Sequence, residues 1–321
     1  GEGTIRGNGW MLDTNAGLMT LTADQKEMSV DEYPWYPFRD QIQELAVAEG
    51  VTRIPRSMCA EFPKLRKVTL ASTVEEISQM AFNNCAALSE VYLNEGLRVI
   101  ANHVFTGDVS LTSIDIPSTV ETIGWDCFTK CTGLTEFRVP ASVTSMEDCF
   151  YGSGISRVIF EEGRSVIPEK FGFMFRGMNQ AGGVVDVYIP QSVTSIEWSQ
   201  DSLGEGGVMG LSIRIHGYRG SAAEKFLQQD WMQERVNSGA WDFTFVPAEC
   251  ETHTWDAGVV TQEPTLDAEG VRTFTCTVCG AVKTEAIPKL TAPTEPSETT
   301  PPEQNPSVPE TPAETIPQST A

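Results

Sequence analysis

LTSIDIPSTVETIGWDCFTKCTG, Leu111 to Gly133, is the stretch whose reading decides the fold. Its apolar residues recur along the chain at a spacing of 23 residues. Ile42, Leu65, Leu88, Leu111 and Leu134 form one row, Val51, Val74, Leu97, Val120 and Val143 a second, and Ile54, Ile77, Ile100, Ile123 and Met146 a third. Three apolar rows in one register predict a stack of like units. No single unit buries its own apolar side, so neighbours complete each other's core and the ends require caps.

Each unit opens on a short alternating run: Val68-Thr69-Leu70, Val91-Tyr92-Leu93, Ile114-Asp115-Ile116 and Phe137-Arg138-Val139. Alternation turns the middle side chain outward. The runs continue less regularly through Val158-Ile159-Phe160, Val187-Tyr188-Ile189 and Ile213-Arg214-Ile215, with Gly-rich insertions around Gly182 and Gly206. The expected fold is an α/β-type repeat, a leucine-rich-repeat solenoid with one parallel β-sheet. An N-terminal β-hairpin cap is expected from Trp10–Leu12 and Leu18–Leu21, with aromatic bulk from Pro34 to Phe38. Ser221 and Glu224 have the spacing of a capping box, opening a C-terminal capping helix with Phe226, Leu227, Trp231 and Val236.

The units resemble the BspA-like leucine-rich repeats of bacterial surface proteins, which read roughly as leucine, strand, Pro-x-x-Val-x-x-Ile, then Ala-Phe or Cys-Phe. The quoted stretch carries the resemblance, and YIPQSVTSI (188–196) repeats its strand and turn. PWYPFRDQIQELAVAEGVTRI (34–54) and IHGYRGSAAEKF (215–226) are similar to segments that flank such arrays. The resemblance covers about the first 247 residues and implies a right-handed solenoid displayed on a bacterial cell surface and associated with adhesion. It implies no particular ligand. FRGMNQAGG (175–183) and SQDSLGEGG (199–207) depart from the pattern and leave the stacking between Ile155 and Leu211 open.

Cys250-x-x-His253 and Cys276-x-x-Cys279 are two paired-ligand knuckles of the kind that hold one structural zinc tetrahedrally. Few large apolar side chains lie between them, which gives a metal a physical purpose. A Cys276–Cys279 disulfide, or thiols without a role, are the other readings. The stretch 250–290 resembles a short spacer module that recurs beside such solenoids, and its expected form is a small β, zinc-ribbon-like unit. Cys59, Cys85, Cys127, Cys131 and Cys149 fall inside the repeats and read as structural thiols; a disulfide or metal clip among the last three is the alternative.

With 44 acidic against 22 basic residues the chain carries −22, which repels nucleic acid and anionic lipid. It has no run of about twenty apolar residues, so no membrane insertion is expected. No G-x-S-x-G elbow, P-loop or H-E-x-x-H motif occurs, and His103, His216 and His253 are far apart in sequence. Neither catalysis nor an organic cofactor is expected. From Thr291 onward the composition is Pro, Thr, Glu and Ser, which predicts a disordered linker. No leader precedes the fold and no anchor closes the sequence, so continuation beyond Ala321 is expected.

The expected domains are a cap (1–41), a solenoid with its capping helix (42–247), a Cys/His module (248–290) and a linker (291–321). Outward strand positions are read as two rows, Glu44, Lys67, Glu90, Glu136, Arg157, Asp186 and Thr69, Tyr92, Asp115, Arg138, Tyr188, Arg214. Tyr92, Asp115, Glu136, Arg138, Arg157, Tyr188 and Arg214 are the candidate ligand-binding residues, each singly also readable as an ordinary solvent-facing residue. The expected partner is an extracellular protein or glycan met by a secreted or surface-attached bacterial protein. A rigid spacer or surface-layer component, or the targeting region of a larger secreted enzyme, is the alternative.

Overall fold

The computed structural model describes residues 3–178, 183–204, 207–250 and 252–291. The Gly-rich breaks at Gly182 and Gly206 and the Pro/Thr-rich linker from residue 292 lie outside the described residues. The chain forms two compact units, Gly1–Asp256 with Thr275–Val282, and Ala257–Phe274 with the residues from Lys283 onward.

The first unit is the solenoid. Its leucine, valine and isoleucine rows are all buried, and Phe82, Phe105, Phe128 and Phe150 form an aromatic column beneath them, with centroids 5.9, 5.6 and 6.2 Å apart. The outer strands of the early coils, Glu44–Val47, Lys67–Thr69 and Glu90–Tyr92, pair in parallel. A cap of three antiparallel strands, Thr4–Gly7, Trp10–Asp13 and Leu18–Leu21, extends this sheet. The expected hairpin is therefore present, with one more strand ahead of it.

The outer face is divided into two sheets. Ile114–Ile116 joins no ladder, and Asp115, a poor strand former, sits at its centre. Parallel pairing resumes through Glu136–Val139, Arg157–Phe160, Val184–Tyr188, Ser212–Gly217 and Asp242–Pro247.

A second ladder joins two-residue strands centred on the isoleucine row, from Arg53–Ile54 through Ser145–Met146. A third set of bonds closes each coil. The N–H groups of Ser57, Cys59 and Glu61 donate to the carbonyls of Gln79, Ala81 and Asn83, and the pattern repeats one coil on from Met80, Phe82 and Asn84. This side turns through left-handed residues at fixed places, Ser57, Met80, His103 and Asp126, then Glu61, Asn84, Gly107 and Lys130. Non-glycine residues rarely adopt positive φ, and the ladder on either side holds them there.

The first coil has no coil before it to donate into its carbonyls. Tyr33 and Trp35 supply the missing donors: the Tyr33 hydroxyl reaches the Arg56 carbonyl at 2.6 Å and Trp35 Nε1 the Met58 carbonyl at 2.9 Å. The aromatic segment expected as bulk is thus also a hydrogen-bonding cap.

At the far end the expected single helix is two, Ala222–Leu227 and Asp230–Asn237. Residues five apart lie on different faces of one helix, and the break lets Trp231 meet both Phe226 (5.9 Å) and Trp241 (6.2 Å). The expected capping box does not form. Ser221 makes no side-chain cap bond, and Glu224 accepts from the Gly220 N–H at 2.6 Å and not from that of Ser221. The second unit carries Val259–Gln262 paired antiparallel with Gly270–Thr275, and Val282–Ile287 completes a three-stranded sheet. Among the described residues no helix is long and apolar enough to cross a membrane.

Candidate functional site

Strand register fixes which outward side chains meet. On the second outer sheet one row reads Glu136, Arg157, Asp186, Arg214, Thr244, and the next Arg138, Ile159, Tyr188, His216, Val246. Arg214 therefore stands beside Asp186 and not beside Tyr188 as the sequence spacing suggests. The longer connection between Tyr188 and Ser212 shifts the register by two residues, and His216, read from sequence as structural or solvated, takes the place next to Tyr188.

These side chains hold one another. Arg214 donates through Nε and Nη2 to the two carboxylate oxygens of Asp186, each at 2.7 Å, and His216 Nε2 lies 2.6 Å from the same carboxylate. Desolvation raises the Asp186 pKa, but the hydrogen bonds and positive charge of Arg214 and His216 outweigh it and hold the carboxyl below its usual range. The Tyr188 ring stacks on His216 at 4.2 Å, and the Arg157 guanidinium lies 4.5 Å above that ring. Glu136 sits between two arginines, 3.4 Å from Arg157 Nε and 3.5 Å from Arg138 Nε.

The other two candidates are elsewhere. Tyr92 ends the first sheet, half exposed, with Lys67 Nζ 5.9 Å from its ring. Asp115 is exposed in the break between the sheets. Five of the seven candidates thus share one face, joined by Asp186, read from sequence as an outward residue but not as a candidate, and by His216, which sequence reasoning left out. A strand position occupied by His two residues past Arg214 was the only signal for His216.

The four paired ligands converge within the first unit. One donor atom from each of Cys250, His253, Cys276 and Cys279 lies within 4.8 Å of all the others. Backbone N–H groups make the second knuckle. The N–H groups of Cys279 and Val278 pull the Cys276 thiol down to about 5, and that of Ala281 lowers Cys279. Cys250 is pushed up to about 12 by desolvation and by the two neighbouring thiols. Gly280, at φ +72°, packs against the side chain of Arg219, where a Cβ would meet Arg219 Cδ at 2.4 Å. A cleft of about 710 Å³ beside the cluster is lined by Arg219, Pro247, Ala248 and Glu249.

The repeat thiols are buried, and three of them donate to backbone carbonyls. Cys85 and Cys131 donate to the carbonyls of Cys59 and Phe105 at 3.1 and 3.0 Å, and Cys149 to that of Gly124 at 3.3 Å. Burial pushes all five thiols far above the reactive range. His103 lies 3.7 Å from Asp126 on the turn side, so the three histidines occupy three separate sites.

Residues 52–175 match the BspA type leucine-rich repeat region in six copies. No match was found among curated proteins. Among solved structures the chain is similar to a leucine-rich repeat protein of T. pallidum, at 19% identity over 74% of this chain and 96% of that one, with a TM-score of 0.40. It is also similar to the pneumococcal vaccine antigen PcpA (12% identity, 77% and 48% covered, TM-score 0.41). A leucine-rich cell surface protein of Faecalibacterium prausnitzii A2-165 gives 14% identity, 77% and 95% covered and a TM-score of 0.34. Likenesses of this size say nothing of what the chain binds. Over residues 52–175, where the six copies match, the rows stack as one core beneath parallel ladders, and this stretch is a BspA type leucine-rich repeat region.

Proposed function

We propose that this chain is a non-catalytic binding protein of a bacterial surface, recognising an extracellular protein or glycan through the outer sheet face of its solenoid. The observation that carries the reading is the contact network of Glu136, Arg138, Arg157, Asp186, Tyr188, Arg214 and His216. Solvent-facing arginines ordinarily move independently; here they are held by their neighbours on a rigid sheet, so little ordering entropy is lost when a partner docks. Tyr92 and Asp115 extend the same face toward the cap. The test is binding of the full chain to a panel of glycans, mucins and matrix proteins, with Tyr92→Ala/Arg138→Ala/Tyr188→Ala in parallel. Saturable binding that the triple variant loses is the expected result. No binding across the panel favours a spacer role.

The Cys/His cluster fits one structural zinc. Zn–S bonds of about 2.3 Å in a tetrahedron place two sulfurs roughly 3.8 Å apart. Cys250 Sγ and Cys276 Sγ are 4.0 Å apart, and Cys279 Sγ lies 3.3 Å from His253 Nδ1. Three thiolates and one imidazole fill a closed coordination shell, so the ion's part is to tie Cys250 and His253 to the Cys276–Cys279 knuckle. Metal analysis of the purified chain is expected to find about one zinc per chain, lost in Cys276→Ser/Cys279→Ser; a parent without metal removes the reading.

A further inference from the structure

The second outer sheet is less acidic than the chain, because the outward carboxylates of Glu136, Asp186 and Asp242 are matched by three arginines. Acidic residues outnumber basic ones 44 to 22 overall, yet the two rows that hold the arginines carry Arg138, Arg157 and Arg214 against Glu136 and Asp186, and Asp242 of the neighbouring row is taken by Ser212. The first sheet keeps the general balance, with Glu44 and Glu90 flanking Lys67.

The arginines are not equivalent. Arg214 is spent on Asp186, which takes both its Nε and its Nη2. Arg138 and Arg157 share the single carboxylate of Glu136 and approach it through Nε. Among the described residues no other carboxylate lies within ion-pair distance of either. Their side chains are half exposed (56% and 48%), and two guanidiniums share one carboxylate, a net charge of +1. Paired guanidiniums of this kind read carboxylates with geometric specificity.

The surroundings narrow the source of that carboxylate. A sugar is commonly gripped by laying its ring on an aromatic face, and both faces of Tyr188 are covered, one by His216 and one by Arg157. Beside the arginines the row instead presents half-buried Ile159, with Val246 at its far end. Acid flanked by apolar side chains is the chemistry of a polypeptide. We infer that Arg138 and Arg157 form the centre of a docking site for an acidic polypeptide segment, with a partner carboxylate on the two guanidiniums and an apolar neighbour on Ile159.

This inference rests on the sheet-face reading above and specifies its partner. It is tested by fluorescence anisotropy of a short synthetic peptide with Glu at alternate positions and Val and Leu between, added to the full chain. A Gln counterpart peptide and heparin serve as the other arms. The Glu peptide is expected to bind saturably, more weakly as salt rises, and about tenfold less in Arg138→Gln/Arg157→Gln. Glu136→Gln removes the internal competitor and is expected to tighten binding, while Trp125→Ala, at an exposed position away from the sheet face, leaves it unchanged. Absence of peptide binding, equal affinity for the Gln peptide, or indifference to the arginine changes overturns the proposal. Arginine-dependent binding of heparin without the peptide assigns the anion to a glycan and overturns it as well. A panel ligand lost with Tyr92→Ala and Tyr188→Ala but untouched by Arg138→Gln/Arg157→Gln keeps the face and sinks only this assignment.

Discussion

The coils from Arg53 to Tyr151 and those from Ser153 to Pro247 share one plan and use it differently. In the earlier coils the period is nearly constant and the aromatic column stacks nearly flat, with rings at 13° and 15° in its first two contacts. Surface contacts recur too: Glu49 holds Ser72 as Glu95 holds Ser118 one repeat pair later. In the later coils the spacing breaks and the aromatics meet edge to face, Phe175 with Trp198, Trp198 with Phe226, then Trp231 with Trp241. Singular features gather there, among them the buried Arg164, which donates to the carbonyls of Pro140 and Val143, and the Asp186 network. Repetition makes every coil alike and so builds stability without distinguishing any position. Departure from the repeat creates the unlike neighbours that recognition requires.

The largest expected effect tests the regular half. Phe128 is fully buried against Phe105, Phe137 and Phe150, and Phe128→Ala is expected to cost about 3–5 kcal/mol in urea unfolding. A smaller loss would mean that the column is not the source of rigidity in these coils.

The core of the regular half contains a buried carboxyl group, and removing it is expected to stabilise the protein. Asp108 occupies the place held by Cys85 and Cys131 in the flanking coils. It is wholly buried, accepts the Cys85 N–H at 2.8 Å through Oδ1, and has an orphaned Oδ2. Burial pushes its carboxyl well above the usual range. The folded state therefore keeps a proton that the unfolded chain releases above pH about 4, and stability falls as pH rises past that value. Asp108→Asn is expected to gain about 1–2 kcal/mol at neutral pH and nothing at pH about 3, read from unfolding at both. A gain equal at both pH values would contradict the origin assigned to it.

The smallest effect belongs to the irregular half. Asp186 has a depressed pKa in the folded state, so its contribution is present above the ordinary Asp range and is lost as pH falls through the folded value. Because Arg214 is half exposed, that contribution is expected to stay below about 1 kcal/mol. Asp186→Asn should reduce stability slightly at neutral pH and converge with the parent in acid. A loss of several kcal/mol would make this network part of the fold's support and not a surface feature.

Much of this molecule is determined by sequence alone. The three rows at 23-residue spacing dictate a stacked core, because an apolar side chain that recurs at fixed intervals is buried at each recurrence whatever the details of its coil. The two knuckles likewise announce their chemistry, since ligand type and a two-residue spacing are local properties. Tertiary structure decided the rest. Whether Arg214 or His216 stands beside Tyr188 depends on pairing between strands separated by an insertion, and register shifts with insertion length while the sequence pattern does not. The left-handed turn side is invisible to propensity, since Ser57, Met80 and His103 adopt an unfavourable backbone only because bonds to the neighbouring coil hold it. Trp35 reads as bulk, and Tyr33 gives no signal, until the carbonyls they cap are known. The convergence of Cys250 and His253 on Cys276 and Cys279 needs the intervening chain to turn back, and only the folded backbone fixes where it does.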